Sequence, residues 1–174
     1  MYLILSPLRH HFALGDSLFF ESLQSYGYSD SLAYADVTTE DFKNVCENIS
    51  GLDLTNFFDQ WIYGEYYPQY GFLWDLNESD ELVLTIHQLQ NWQYFEMPIE
   101  IEVVFPNESI LFKVHNQYQM QEYNLGFLDE IPLSVRLDPD GWILKEVQYL
   151  NNDKILPKLS NIFVYPAYPN PFNP

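Results

Sequence analysis

Apolar residues in the first part of the chain recur at helical intervals. Leu5, Leu8 and Phe12 share one helix face, and Gly15 with Asp16 interrupts that pattern. Asp16 is placed to cap a second helix, in which Phe19, Leu23 and Tyr26 stay in register. Pro7 disturbs the first helix unless it occupies the first turn or a kink. Residues 27–37, rich in Tyr, Ser and Asp, read as a loop. Thr38 then offers a cap, with Glu40 and Asp41 at the positive end of the helix dipole. Phe42, Val45, Cys46 and Ile49 repeat at i, i+3, i+4 and i+7, and Gly51 after Ser50 ends the helix in a left-handed conformation. Asp53 is the expected cap of one more helix, with Leu54, Phe57, Phe58 and Trp61 at the same spacing.

After Tyr66 the period changes from helical to alternating. Leu82, Leu84 and Ile86 alternate with their neighbours. So do Ile99, Ile101 and Val103 (with Glu100 and Glu102 between them), then Ile110, Phe112 and Val114, then Leu133, Val135 and Leu137. Residues 142–149 read as a last strand. Turn signals separate these runs at Asn77-Glu78-Ser79-Asp80, Pro106-Asn107, Asn116-Gln117 and Asp138-Pro139-Asp140-Gly141. Short strands at this spacing predict an antiparallel β-sandwich, so the chain as a whole reads as α+β, helices first. From Asn151 the pattern fades, and residues 165–174 (YPAYPNPFNP) are dominated by proline and asparagine, the composition of an extended linker.

Charge narrows the choice of partners. With 7 basic and 25 acidic residues the formal net charge is -18, which repels phosphate backbones and anionic lipid. No apolar run reaches the length of a membrane span. The 14 tyrosines and 13 phenylalanines favour strands and large buried contacts. The single cysteine, Cys46, has no internal disulfide partner and falls on an apolar helix stripe, as a small buried hydrophobe does. Residues 1–8 (MYLILSPL) are too short for a signal peptide and lack a basic start, so either the protein is cytoplasmic or Met1 is not the start of the mature polypeptide.

The residues that could carry chemistry have plainer explanations. His10 and His11 are adjacent on a helix and point about 100° apart, which does not suit one metal ion. No glutamate stands at zincin spacing from a histidine. His87 and His115 lie on separate strands. Glu100 and Glu102 share one strand face, the arrangement of a solvated surface. Asp138 and Asp140 have turn composition, although oxygen ligands are dense enough there to weigh a calcium ion against the turn. Trp61, Trp74, Trp92 and Trp142, with the tyrosines, read either as core packing or as a platform for sugar. No Ser–His–Asp arrangement or phosphate-binding glycine loop can be assembled.

An ordered series of short matches runs through the first third: LR at Leu8 and Arg9; LGD at Leu14, Gly15 and Asp16; Phe19, Phe20, Leu23 and Tyr26; TTEDF ending at Asp41 and Phe42; SGLDL around Gly51; FFDQW from Phe57 and Phe58 to Trp61. This series resembles the membrane alanyl aminopeptidase family, the zinc-dependent gluzincin exopeptidases. The resemblance implies that these are helices behind the active site, at the end of a thermolysin-like catalytic domain. Its structural signature positions here are Arg9, Gly15, Asp16, Asp41, Phe42, Gly51, Phe57, Phe58 and Trp61. Residues 67–74 (YPQYGFLW) resemble the crossover and aromatic strand that open the β-sandwich of some members, and 136–142 (RLDPDGW) a late turn of it. In the family a zinc ion activates water, a glutamate is the general base and a tyrosine stabilises the oxyanion. The motifs that supply them, H-E-x-x-H with a distal Glu and Y-x-K-G, lie upstream of this region and do not occur in this sequence. Residues 168–174 (YPNPFNP) resemble the opening of the C-terminal sorting domains of type IX secretion.

The resulting expectation is a fragment truncated at both ends. Residues 1–64 would be the last catalytic-domain helices, 65–150 a β-sandwich, and 151–174 a linker to a missing sorting domain. The parent would be a secreted or cell-surface zinc aminopeptidase acting on peptides. This chain would hold no cofactor and no catalytic or metal residue, and would partner the upstream catalytic portion. The alternative is a non-catalytic carbohydrate- or surface-binding module.

Overall fold

The computed structural model describes residues 14–29 and 36–150. Among the described residues three helices come first: α1 (Gly15–Tyr28), α2 (Thr39–Ser50) and α3 (Thr55–Phe58), the last continuing as a π-helical segment, Asp59–Tyr63. Seven strands follow among the described residues: β1 (Gln69–Leu76), β2 (Glu81–Gln88), β3 (Met97–Val104), β4 (Ser109–Asn116), β5 (Met120–Phe127), β6 (Ser134–Leu137) and β7 (Glu146–Tyr149). The first helix expected from Leu5, Leu8 and Phe12 lies outside the described residues, as do Arg9, His10, His11 and the segment from 151.

The ends of α2 follow the local chemistry. The Thr38 hydroxyl accepts from the Asp41 amide at 3.3 Å, and the Asp41 carboxylate accepts from the Thr38 amide at 2.7 Å, a reciprocal cap. The hydrogen bonds from Thr38, its hydroxyl first, hold the Asp41 carboxyl below the ordinary carboxylate range. At the other end Gly51 adopts φ 71° and donates its amide to the Glu47 carbonyl at 2.8 Å. Two other caps differ from expectation. Asp16 lies within the first turn of α1 rather than capping it; the cap position is Leu14, and Gly15 bends the chain at φ 65°. Asp53 accepts from the Thr55 amide at 2.9 Å but stands one residue before the cap position, which the fully buried Leu54 occupies. The Leu54 amide goes instead to the Glu47 carboxylate, at 2.9 Å. The loop read over 27–37 starts later, because α1 runs on to Tyr28. Edge-to-face packing of Tyr26 on Phe42, with centroids 5.2 Å apart, secures the turn that Gly27 would weaken.

α1 and α2 meet at small residues. Ser22 and Cys46 are both fully buried, and the Ser22 hydroxyl is satisfied by the Leu18 carbonyl at 2.7 Å. Burial pushes the Cys46 thiol up to about 11, so at neutral pH it is an inert packing group.

The strands form two sheets, in the orders β5-β2-β1-β7 and β4-β3-β6. Leu82, Leu84 and Ile86 from one sheet and Ile99, Ile101 and Val103 from the other are all fully buried in a single apolar core with Phe57, Phe58 and Trp61. The pairing is antiparallel except that β7 lies parallel to β1. The last strand is also shorter than the predicted 142–149, because residues 138–145 close a loop before it. β5 escaped the pattern: as an edge strand of mostly polar residues (MQEYNLGF) it turns only Tyr123 and Leu125 onto the core. Edge position also explains why Ile110 stays 39% exposed although it alternates correctly. Leu133, 62% exposed, precedes its strand rather than belonging to it.

Candidate functional site at the helix–sandwich junction

The positions singled out from sequence separate into two groups. Gly15, Asp16, Asp41, Phe42 and Gly51 shape helix ends and the contact between α1 and α2. Phe57, Phe58 and Trp61 come together where the last helix meets the sandwich. The Phe57 and Phe58 rings meet edge to face at 5.8 Å, Phe57 stacks on Trp61 at 6.4 Å, and Trp61 lies 4.8 Å from Phe95, just ahead of β3. These rings are within 7% of full burial. The Trp61 indole N–H has no hydrogen-bond partner, nor has the phenol of fully buried Tyr70, whose burial raises its pKa far above the ordinary value.

Around the aromatic cluster runs a set of side-chain amides that the sequence reading did not identify. Gln60 donates to the Tyr94 carbonyl at 3.1 Å and accepts from the Glu96 amide at 2.8 Å, so it pairs with the chain entering β3 much as a neighbouring strand would. Gln93 donates back to the carbonyls of Gln60 and Glu65, both at 3.3 Å. Fully buried Gln88 donates to the Phe95 carbonyl and to Asn116 Oδ1, and accepts from the Phe95 amide and Gln90 Nε2, all at 2.8 Å. Gln90 accepts from the Gln69 amide at 3.0 Å and donates to the Gln93 carbonyl at 2.9 Å. The only signal in the sequence was glutamine density over 88–93 (QLQNWQ), which carries no period.

Gly64 ends the π-helical segment under this clasp. A Cβ there would stand 2.5 Å from the Gln60 carbonyl oxygen, 2.8 Å from that of Asp59 and 2.9 Å from Gln93 Nε2. Two of these atoms are backbone and cannot swing aside. Gly64→Ala is therefore expected to destabilise the chain by ~1–3 kcal/mol, read as a lower urea midpoint. An unchanged midpoint would mean the junction yields more easily than its packing implies.

Among the described residues no three His, Cys, Asp or Glu side chains gather around a common point for a metal ion. His87 lies on β2 and His115 on β4, in different sheets; His115 Nε2 is 3.0 Å from a Glu96 carboxylate oxygen. Glu102 pairs with Arg136 across the strands. The Asp138 carboxylate, 3% exposed, accepts from the amides of Trp142 at 3.0 Å and Ile143 at 2.9 Å and is paired with Lys145. These bonds close the loop that was weighed as a calcium site. The two Asp138 carboxylate oxygens are engaged by a cation and two amides. Trp61 is buried, so the four tryptophans do not share one exposed face.

The fold resembles part of a solved aminopeptidase. The structure of Legionella pneumophila aminopeptidase A in complex with aspartic acid matches with a TM-score of 0.69 and 19% identity, over 87% of this chain and 17% of that one. Such a likeness establishes a shared fold. The chain spans less than a fifth of the length of this neighbour. No family model matches the sequence, and a search of curated proteins found no match. No helix among the described residues is long and apolar enough to cross a membrane.

Proposed function

We propose that this chain is the scaffold region of an exported zinc aminopeptidase of the gluzincin type, and that it performs no hydrolysis alone. The observation that carries this reading is the fold shared with a segment of an aminopeptidase over 87% of the chain. The gluzincin assignment rests on the sequence resemblance between Leu8 and Trp61, and export rests on the likeness of 168–174 to a secretion sorting signal. In this reading the metal, the general base and the oxyanion-stabilising tyrosine sit on chain upstream of these helices. The described residues supply no zinc ligand set that would replace them. What this region contributes is rigidity. The aromatic cluster and the amide clasp lock the last helix onto the sandwich, which holds the helices behind a cleft in one position.

Two measurements test the proposal. Calorimetric titration of the 174-residue chain with zinc, with an aminoacyl-anilide assay alongside, is expected to give no micromolar binding and no turnover. Micromolar binding with turnover would overturn the claim of inactivity. The reading frame ahead of Met1 is expected to encode H-E-x-x-H followed by Y-x-K-G; an unrelated frame there would sink the gluzincin assignment.

A further inference from the structure

We propose that the exposed pair Tyr66 and Trp92 is a docking surface for the proline-rich segment 165–174 of the same chain. Tyr66 follows the π-helical segment at φ 72°, a conformation that a bulky residue rarely adopts. Its ring lies 5.0 Å from that of Trp92 at an interplanar angle of 42°, and the two residues remain 66% and 43% exposed. The strain therefore does not serve burial; it holds two tilted rings open to solvent. The loops that carry them are fixed from beneath, because Gln93 donates to the Glu65 carbonyl at 3.3 Å.

Tilted aromatic side chains on a rigid frame recognise polyproline II segments, whose preformed backbone loses little entropy on binding. Segment 165–174 (YPAYPNPFNP) has that composition. Pro166 and Pro169 are three residues apart, as are Pro171 and Pro174, so on a helix of three residues per turn each pair falls along one edge. The segment contains no charged residue, so the acidic body does not repel it.

The chain's path favours this occupant over others. Leu150 and Leu89 flank Gly71: their methyl carbons lie 3.3 and 3.2 Å from where a Cβ on that glycine would stand. Leu150 donates its amide to the Phe72 carbonyl and Leu89 donates its amide to the Gln69 carbonyl, at 2.8 and 2.7 Å. The polypeptide thus leaves the sandwich beside the loop that, three residues after Leu89, presents Trp92. A connection of this length adds little closure entropy and keeps the segment at an effective concentration on the order of millimolar.

The test uses the full chain with a nitroxide on Asn170→Cys, since native Cys46 is buried and does not compete for the label. The Trp92 indole resonance, assigned with Trp92→Phe, is expected to lose on the order of half its intensity in the oxidised sample, independently of protein concentration, as a tethered contact requires. Tyr66→Ala should restore it. So should the double change Pro166→Gly and Pro169→Gly, which leaves the folded body untouched. Broadening equal in the parent and the doubly substituted variant would overturn the proposal. Broadening that grows with concentration would assign the surface to a second copy and overturn it too. So would saturable binding of chitohexaose, lost in Trp92→Ala, in a chain whose tail leaves Trp92 unbroadened.

Discussion

Replacing Gln88 by leucine is expected to cost about 3 kcal/mol or more, although the shape of the side chain is nearly kept. Gln88 is fully buried at the end of β2, and its one amide serves the Phe95 amide, the Phe95 carbonyl, Gln90 Nε2 and Asn116 Oδ1. Leucine fills the space, strands the Phe95 amide, the Phe95 carbonyl and Asn116 Oδ1, and leaves Gln90 Nε2 with the Gln93 carbonyl. A buried polar group left without a partner costs ~1–3 kcal/mol. Local relaxation and entering water keep the total below the sum of the three. Gln88→Glu should be worse than leucine, because it carries charge into the core and sets a carboxylate oxygen against the Phe95 carbonyl and Asn116 Oδ1, both acceptors. Urea unfolding monitored by circular dichroism reads the effect as a lower midpoint at unchanged slope. Exchange of the Phe95 amide should accelerate in the same variant. A cost under about 1 kcal/mol would show that this network is not what aligns the strand ends.

That network also marks the limit of what the residue pattern revealed. Period carried the regular elements: the stripe of Phe57, Phe58 and Trp61 and the alternation of Leu82 to Ile86 and Ile99 to Val103 correspond to buried faces. Caps were legible where one residue does one job, as at Thr38 and Gly51. They failed where tertiary partners intervene. Glu47 takes the Leu54 amide from seven residues away, which moves Asp53 out of the cap position. β5 was missed because an edge strand needs only two inward residues, too few for a period. The parallel placement of β7 follows from the Asp138 loop, and turn composition at 138–141 does not predict that its aspartate will clamp Trp142, Ile143 and Lys145. The junction was half visible. Its aromatic members stand on a helical stripe, whereas Gln60, Gln88, Gln90 and Gln93 look like surface residues until the backbone groups that they satisfy are brought to them.

Trp61 separates the aromatic half of that junction from the amide half. Trp61→Ala is expected to destabilise the chain by ~3–5 kcal/mol, the range for removing a buried indole from a packed site. The loss comprises its contacts with Phe57 and Phe95 and the cavity left between the last helix and the sandwich. Trp61→Phe should cost distinctly less, about 1–2 kcal/mol. It keeps a ring between those two neighbours and removes an indole N–H that has no partner, so part of the lost packing is offset by a desolvation penalty no longer incurred. Comparing the urea midpoints of the two variants isolates the ring from the donor. If Phe were as damaging as Ala, the indole N–H would have to be satisfied in solution, and the junction would owe its stability to that bond rather than to stacking. If both were mild, the helix would rest on the sandwich through the glutamines alone. In that case the region could not serve as a stiff support, and the scaffold role proposed for it would fail on mechanical grounds.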